Sequence, residues 1–162
     1  MLHSANRPHV SIKCRGMSRQ DLFEVLLVYE RDPQPMDFRI KLLQLQDRGN
    51  YLIALTRGSL DVEGFEQLFR QIKDATPALL HCKILVDLAD AACRLDSTEI
   101  ARLVSELSDF WLGENRVALI SPPDIGQYDR LSDLRAGLSN RGFKVGVFVE
   151  TKAAADWLAE SR

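Results

Sequence analysis

The sequence predicts an α/β domain: a mostly parallel sheet made of sequential βα units that follow an N-terminal β-hairpin. Three observations carry that expectation. From Asp37 onward, strand-length apolar runs alternate with segments of helical period. Cys82 to Leu88 and Val117 to Ile120 are nearly continuous apolar runs, as suits strands buried on both faces. The chain then closes on a βα unit. A β-branched strand ending at Val149 leads through Glu150-Thr151 into an Ala-rich helix anchored by Trp157-Leu158.

The elements follow in order. Gln20 to Glu30 suits either a short helix or a short strand. Asp32-Pro33-Gln34-Pro35 blocks both helix and sheet, so the compact domain is expected to begin at Met36. Residues 1–35 then read as a loosely held extension and 36–162 as the domain. Phe38 to Leu42 alternates apolar and polar, as a half-buried strand does. Arg48-Gly49-Asn50 is a turn signal and Tyr51 to Thr56 a second strand, completing a hairpin. Asp61 opens a helix with apolar positions Val62, Phe65, Leu68, Phe69 and Ile72, stopped by Pro77. After the buried strand Cys82–Leu88, Asp96-Ser97-Thr98-Glu99 opens a helix with Ile100, Leu103, Val104, Leu107 and Trp111 on one face, ended by Gly113. Pro122-Pro123 follows the strand Val117–Ile120. Ile125, Tyr128, Leu131, Leu134 and Leu138 mark a third helix, ending near Gly142. Phe143 to Val149 is the last strand. The order ββαβαβαβα implies parallel pairing through right-handed crossovers.

Composition bounds the function classes. A chain of 162 residues, 46% hydrophobic and 27% charged, can bury a sizeable core without disulfides or metal. Its net charge of −2 gives no general pull toward nucleic acid or anionic membrane. The charge is uneven. Residues 1–20 hold Arg7, Lys13, Arg15 and Arg19 and no acid, so the remainder carries about −6. Cys14, Cys82 and Cys93 form no CxxC pair. Cys82 reads as a core residue and Cys93 as a loop thiol, and reduced thiols suit a cytoplasmic protein. No apolar run approaches a membrane span, and Val25-Leu26-Leu27-Val28 is too short for a signal-peptide core.

Three stretches resemble the STAS superfamily, the domain of anti-sigma-factor antagonists and sulfate-transporter tails, and most closely its SpoIIAA-like branch. Ile84-Leu85-Val86-Asp87-Leu88 resembles the strand before that family's switch loop. Leu95-Asp96-Ser97-Thr98-Glu99-Ile100 resembles the loop-to-helix turn. Val147-Phe148-Val149 through Ala154-Ala155-Asp156-Trp157-Leu158 resembles the branch's ending. The likeness spans roughly residues 37–160 and implies a small bacterial regulatory or binding domain. It also implies a switch at Ser97, the position that a partner kinase phosphorylates in the antagonists. Glu99 stands where that family has Gly, and its carboxylate would repel a phosphate on Ser97. The residues themselves also admit a purely structural role. Ser97 or Asp96 is a natural N-cap, and Asp96 with Glu99 has capping-box spacing.

Other constellations are sparse. Asp87 and Asp90 are expected to follow the central strand, at the carboxyl edge where α/β folds place ligands. With Asp96 and Thr98 they make a candidate partner surface. His3, His9 and His81 have no ligand spacing, and neither a nucleophile triad nor a phosphate-binding glycine loop is present. No catalytic residue, metal or cofactor is therefore expected. Tyr51, Phe65, Phe69, Phe110, Trp111, Tyr128 and Trp157 fall mostly at core-facing positions, and Leu112 extends an apolar cluster at a helix end. Two function classes remain. One is a non-enzymatic module that recognises a regulatory protein or a small, lipid-like apolar ligand. The other is a small enzyme at the carboxyl edge of the sheet, near Asp87, Asp90, Cys93 and Ser97.

Overall fold

The computed structural model describes residues 27–29, 37–45, 49–75, 83–110 and 115–160. A six-stranded sheet runs in chain order: β1 Leu27–Tyr29, β2 Asp37–Leu45, β3 Gly49–Leu60, β4 Lys83–Cys93, β5 Arg116–Ile120 and β6 Lys144–Phe148. β1, β2 and β3 pair antiparallel, and β3 to β6 pair parallel. The expected hairpin and the parallel βα succession are both present. The helices among the described residues are α1 Val62–Ala75, α2 Ser97–Phe110, α3 Ile125–Asn140 and α4 Thr151–Ala159. Leu27–Tyr29, from the ambiguous stretch before the prolines, is a strand and forms the sheet edge.

Strand alternation divides the apolar residues between two faces. Ile84, Val86, Leu88, Val117 and Leu119 face the main core, with Phe65, Leu68, Leu103, Leu107, Leu131 and Leu134 from α1, α2 and α3. Leu85, Ala118 and Ile120 face the other way, against Ala154 and Leu158 of α4. Three helices thus cover one face, and one nine-residue helix covers part of the other.

Local chemistry sets the helix ends. Asp61 Oδ1 accepts from Gly64 N–H at 2.8 Å and opens α1; Asp124 Oδ1 accepts from Gln127 N–H at 2.9 Å and opens α3. α3 closes on a left-handed glycine. Gly142 has φ +91°, its N–H reaches Ser139 O, and Phe143 N–H reaches Leu138 O.

The structure corrects several expectations. The strand expected to end at Leu88 continues to Cys93, because Arg57 to Leu60 of β3 pair with Asp90 to Cys93 after a bulge. Asp87 and Asp90 therefore lie inside a strand, not after one. Cys93 is a buried strand end, only 1% exposed, and not a loop residue. Ile125 was expected on the buried stripe of α3 but is 82% exposed, because only Leu131, Leu134 and Leu138 reach the core. Trp157, expected as a core anchor, is half-buried at the rim of the smaller core. Leu158, at 1% exposure, is the true plug of α4. The expectations for Cys14, Cys82, the histidines, Trp111, Leu112 and the Phe110 side chain lie outside the described residues.

Candidate functional site

The parallel strands β4, β5 and β6 all end at the same edge of the sheet and hand the chain to α2, α3 and α4. At this edge the chain leaves β4 through Arg94, whose N–H donates to Leu60 O at 2.9 Å. Leu95 turns inward and is buried. Asp96 then caps α2. Its Oδ1 accepts from Glu99 N–H at 2.8 Å, and Glu99 Oε2 accepts from Asp96 N–H at 2.8 Å. This is a reciprocal capping box. The cap is Asp96, and Ser97 is the first helical residue. Ser97 and Thr98 are exposed.

Ser97 lines an open cleft of about 760 Å³ with Arg94, Asp96, Glu99, Arg130 and Asp133. The charges there are mixed, but Asp96 and Glu99 already have their carboxylates engaged in the cap. Asp87 and Asp90 do not line the cleft. Asp87 is half-buried and its Oδ1 accepts from Ala89 N–H at 3.0 Å, which satisfies a backbone donor at the bulge. Asp90 is exposed and sits opposite Arg57 in the ladder. The structure therefore groups Asp96, Ser97 and Thr98 and separates Asp87 and Asp90 from them.

Cys93, one residue before Arg94, has its thiol pushed up to about 12 by burial, partly offset by the nearby Arg130 guanidinium. A buried thiol that resists ionisation is a poor nucleophile. Among the described residues, no three His, Cys, Asp or Glu side chains converge as metal ligands.

The sequence reading missed a second feature of the same edge. Pro122, Pro123, Ile125, Tyr128 and Val149 line an apolar groove of about 340 Å³. Ile125 and Val149, at 82% and 57% exposure, are the large apolar side chains most given to solvent among the described residues. The available signal was a Pro-Pro pair directly before an isoleucine in a helix's first turn. On the opposite face of the sheet, the Arg116 guanidinium stacks 4.2 Å over Trp157 and donates to Glu160 O, fixing α4.

No family model matches this sequence, and no curated protein does. Among solved structures, the chain is similar to an uncharacterized protein of the DUF3478 family with a SpoIIAA-like fold from Shewanella loihica PV-4. The TM-score is 0.52 at 21% identity, over 80% of this chain and 99% of that one. The fold is SpoIIAA-like. Among the described residues, no helix is long and apolar enough to cross a membrane.

Proposed function

We propose that this chain is a non-enzymatic regulatory domain of the STAS type, which meets a protein partner through the turn at Asp96, Ser97 and Thr98. One observation carries the reading. The Ser97 hydroxyl stands exposed at the start of α2 with no structural duty, because Asp96 and Glu99 complete the cap without it. A spare hydroxyl in an open cleft is free to be read by a partner or modified by one. A phosphate there would gain from the positive helix end and from Arg94 and Arg130, and would lose from Glu99. Residues 36–162 are taken as the domain and 1–35 as its extension, which lends the sheet the edge strand β1. The free thiol of Cys93 fits a reducing, cytoplasmic setting.

The test is affinity capture from host lysate with wild type, Ser97→Ala and Ser97→Asp. Wild type and Ser97→Ala should retain a common partner that Ser97→Asp loses. Identical partner sets for all three would remove Ser97 from the recognition surface.

A second reading, a small apolar ligand, is supported by the groove beneath Ile125 and Val149. Native mass spectrometry of protein from its own host would show the bound mass. The enzyme alternative at Asp87, Asp90 and Ser97 gains no geometric support, because the three do not share a cleft.

A further inference from the structure

The Ser97 turn hangs from the end of β4, and that end is held by a different helix. Cys93 N–H donates to Gln127 Oε1 at 2.7 Å, and Arg130 Nη1 donates to Cys93 O at 3.4 Å. Both backbone polar groups of the last β4 residue are thus satisfied by α3 side chains 34 and 37 positions away in sequence. On the β3 side, the next residue is tied through Arg94 N–H, which donates to Leu60 O at 2.9 Å. The capping box begins two residues later.

We propose that Gln127, with Arg130, is the positioning clamp of the Ser97 turn. It fixes where the Arg94–Glu99 segment stands, and with it the exposed hydroxyl. The inference rests on the reading that this turn is the recognition surface.

The placement on α3 gives the clamp its consequence. Gln127 is half-buried and sits beside the inward stripe Leu131, Leu134 and Leu138. Ile125 and Tyr128 flank that stripe on the groove side, while Arg130 and Asp133 flank it on the Ser97 side. The first turns of α3 therefore touch both features of the carboxyl edge. A shift of this helix end moves the acceptor that Cys93 depends on, and a buried N–H that loses its acceptor cannot recover one from water. The β3 ladder ends at the Leu60–Cys93 pair and the Arg94 N–H to Leu60 O bond. On its other side the start of the turn is held by the two α3 side chains and, among the described residues, by no paired strand. It is thus the part of the edge most readily released without unfolding β4.

Amide hydrogen exchange on the full chain tests this. Gln127→Leu keeps the side-chain bulk and removes the acceptor. Gln127→Glu keeps an acceptor and stands near Arg130. In Gln127→Leu, exchange at Cys93 and through Asp96–Ile100 should quicken by about tenfold, while Ile84–Leu88 in the same strand stays at the wild-type rate. Gln127→Glu should restore the slow rates. Unchanged exchange at Cys93–Ile100 would overturn the clamp, and so would an equal rise throughout β4, which would mean that Gln127 serves general stability only. If Gln127→Leu fails to fold, Gln127→Asn, whose carboxamide is one methylene too short to reach, carries the same comparison. Capture of the partner by the same variants separates the two claims. Altered exchange with an unaltered partner set would leave the clamp standing and defeat the recognition reading beneath it.

Discussion

Asp96 and Glu99 exchange backbone-to-carboxylate hydrogen bonds, both at 2.8 Å, and so close the start of α2 without help from the serine between them. The cap and the candidate switch are therefore separate residues. A change at Ser97 can be read as a change of surface, and a change at Asp96 as a change of fold.

Asp96→Ala should accordingly lower stability by about 0.5–2 kcal/mol, the usual cost of losing an N-cap, whereas Ser97→Ala should stay within about 0.5 kcal/mol of wild type. Urea denaturation of both variants checks the order. A larger loss for Ser97→Ala would return the capping role to the serine.

On α4 the ranking of side chains runs against their size. Leu158 is buried, while Trp157 rests half-exposed between Phe148, 5.6 Å away centroid to centroid, and the Arg116 guanidinium. Leu158→Ala should cost about 2–5 kcal/mol. Trp157→Ala should cost less, about 1–3 kcal/mol, since part of its surface never leaves water. Denaturant midpoints in the reverse order would show that the indole is the principal anchor.

These cases mark what the sequence could show. The capping box was legible because its partners are three residues apart and local spacing determines them. The βα succession was legible because apolar period follows burial. The length of β4 was not. The bulge after Asp87 breaks the period-two pattern, and the outward residues Asp87 and Asp90 lie on a face that α4 only partly covers, so they mimic a loop. The hydrophobicity of Trp157 and Ile125 points them inward, but it reports a tendency to bury and not the extent of the covering layer. The hold of Gln127 on Cys93 joins positions 34 apart through a side chain and a backbone N–H, a pairing with no periodic trace.

The contact between α2 and α3 is close enough to require glycine. A Cβ on Gly137 would stand 2.7 Å from Val104 Cγ2. Alanine would gain about 1 kcal/mol of helix propensity, but overpacking costs about 1–3 kcal/mol, and the β-branched valine has little rotamer freedom to yield. Gly137→Ala should therefore be net destabilising, and Val104→Ala in the same chain should recover part of the loss. A stabilised Gly137→Ala variant would show that the helices separate freely.

Cys93 supplies a pH signature. Its folded-state thiol is raised from an ordinary 9.0 to about 12, so between those values the unfolded chain releases a proton that the folded chain keeps. The unfolded state then binds fewer protons, and stability falls as pH rises through that window. The contribution is fully present below about pH 9, and the slope from this residue is at most about 1.4 kcal/mol per pH unit. Denaturant titrations at pH 8 and pH 10.5 should show a smaller loss in Cys93→Ala than in wild type, because the variant has no thiol to ionise on unfolding. In the native protein at pH 8, mass spectrometry after brief alkylation should find Cys93 unmodified, and modification should appear once denaturant opens the core. Rapid native labelling at Cys93, or identical pH slopes for the two proteins, would place the thiol outside the core and remove the basis for this dependence.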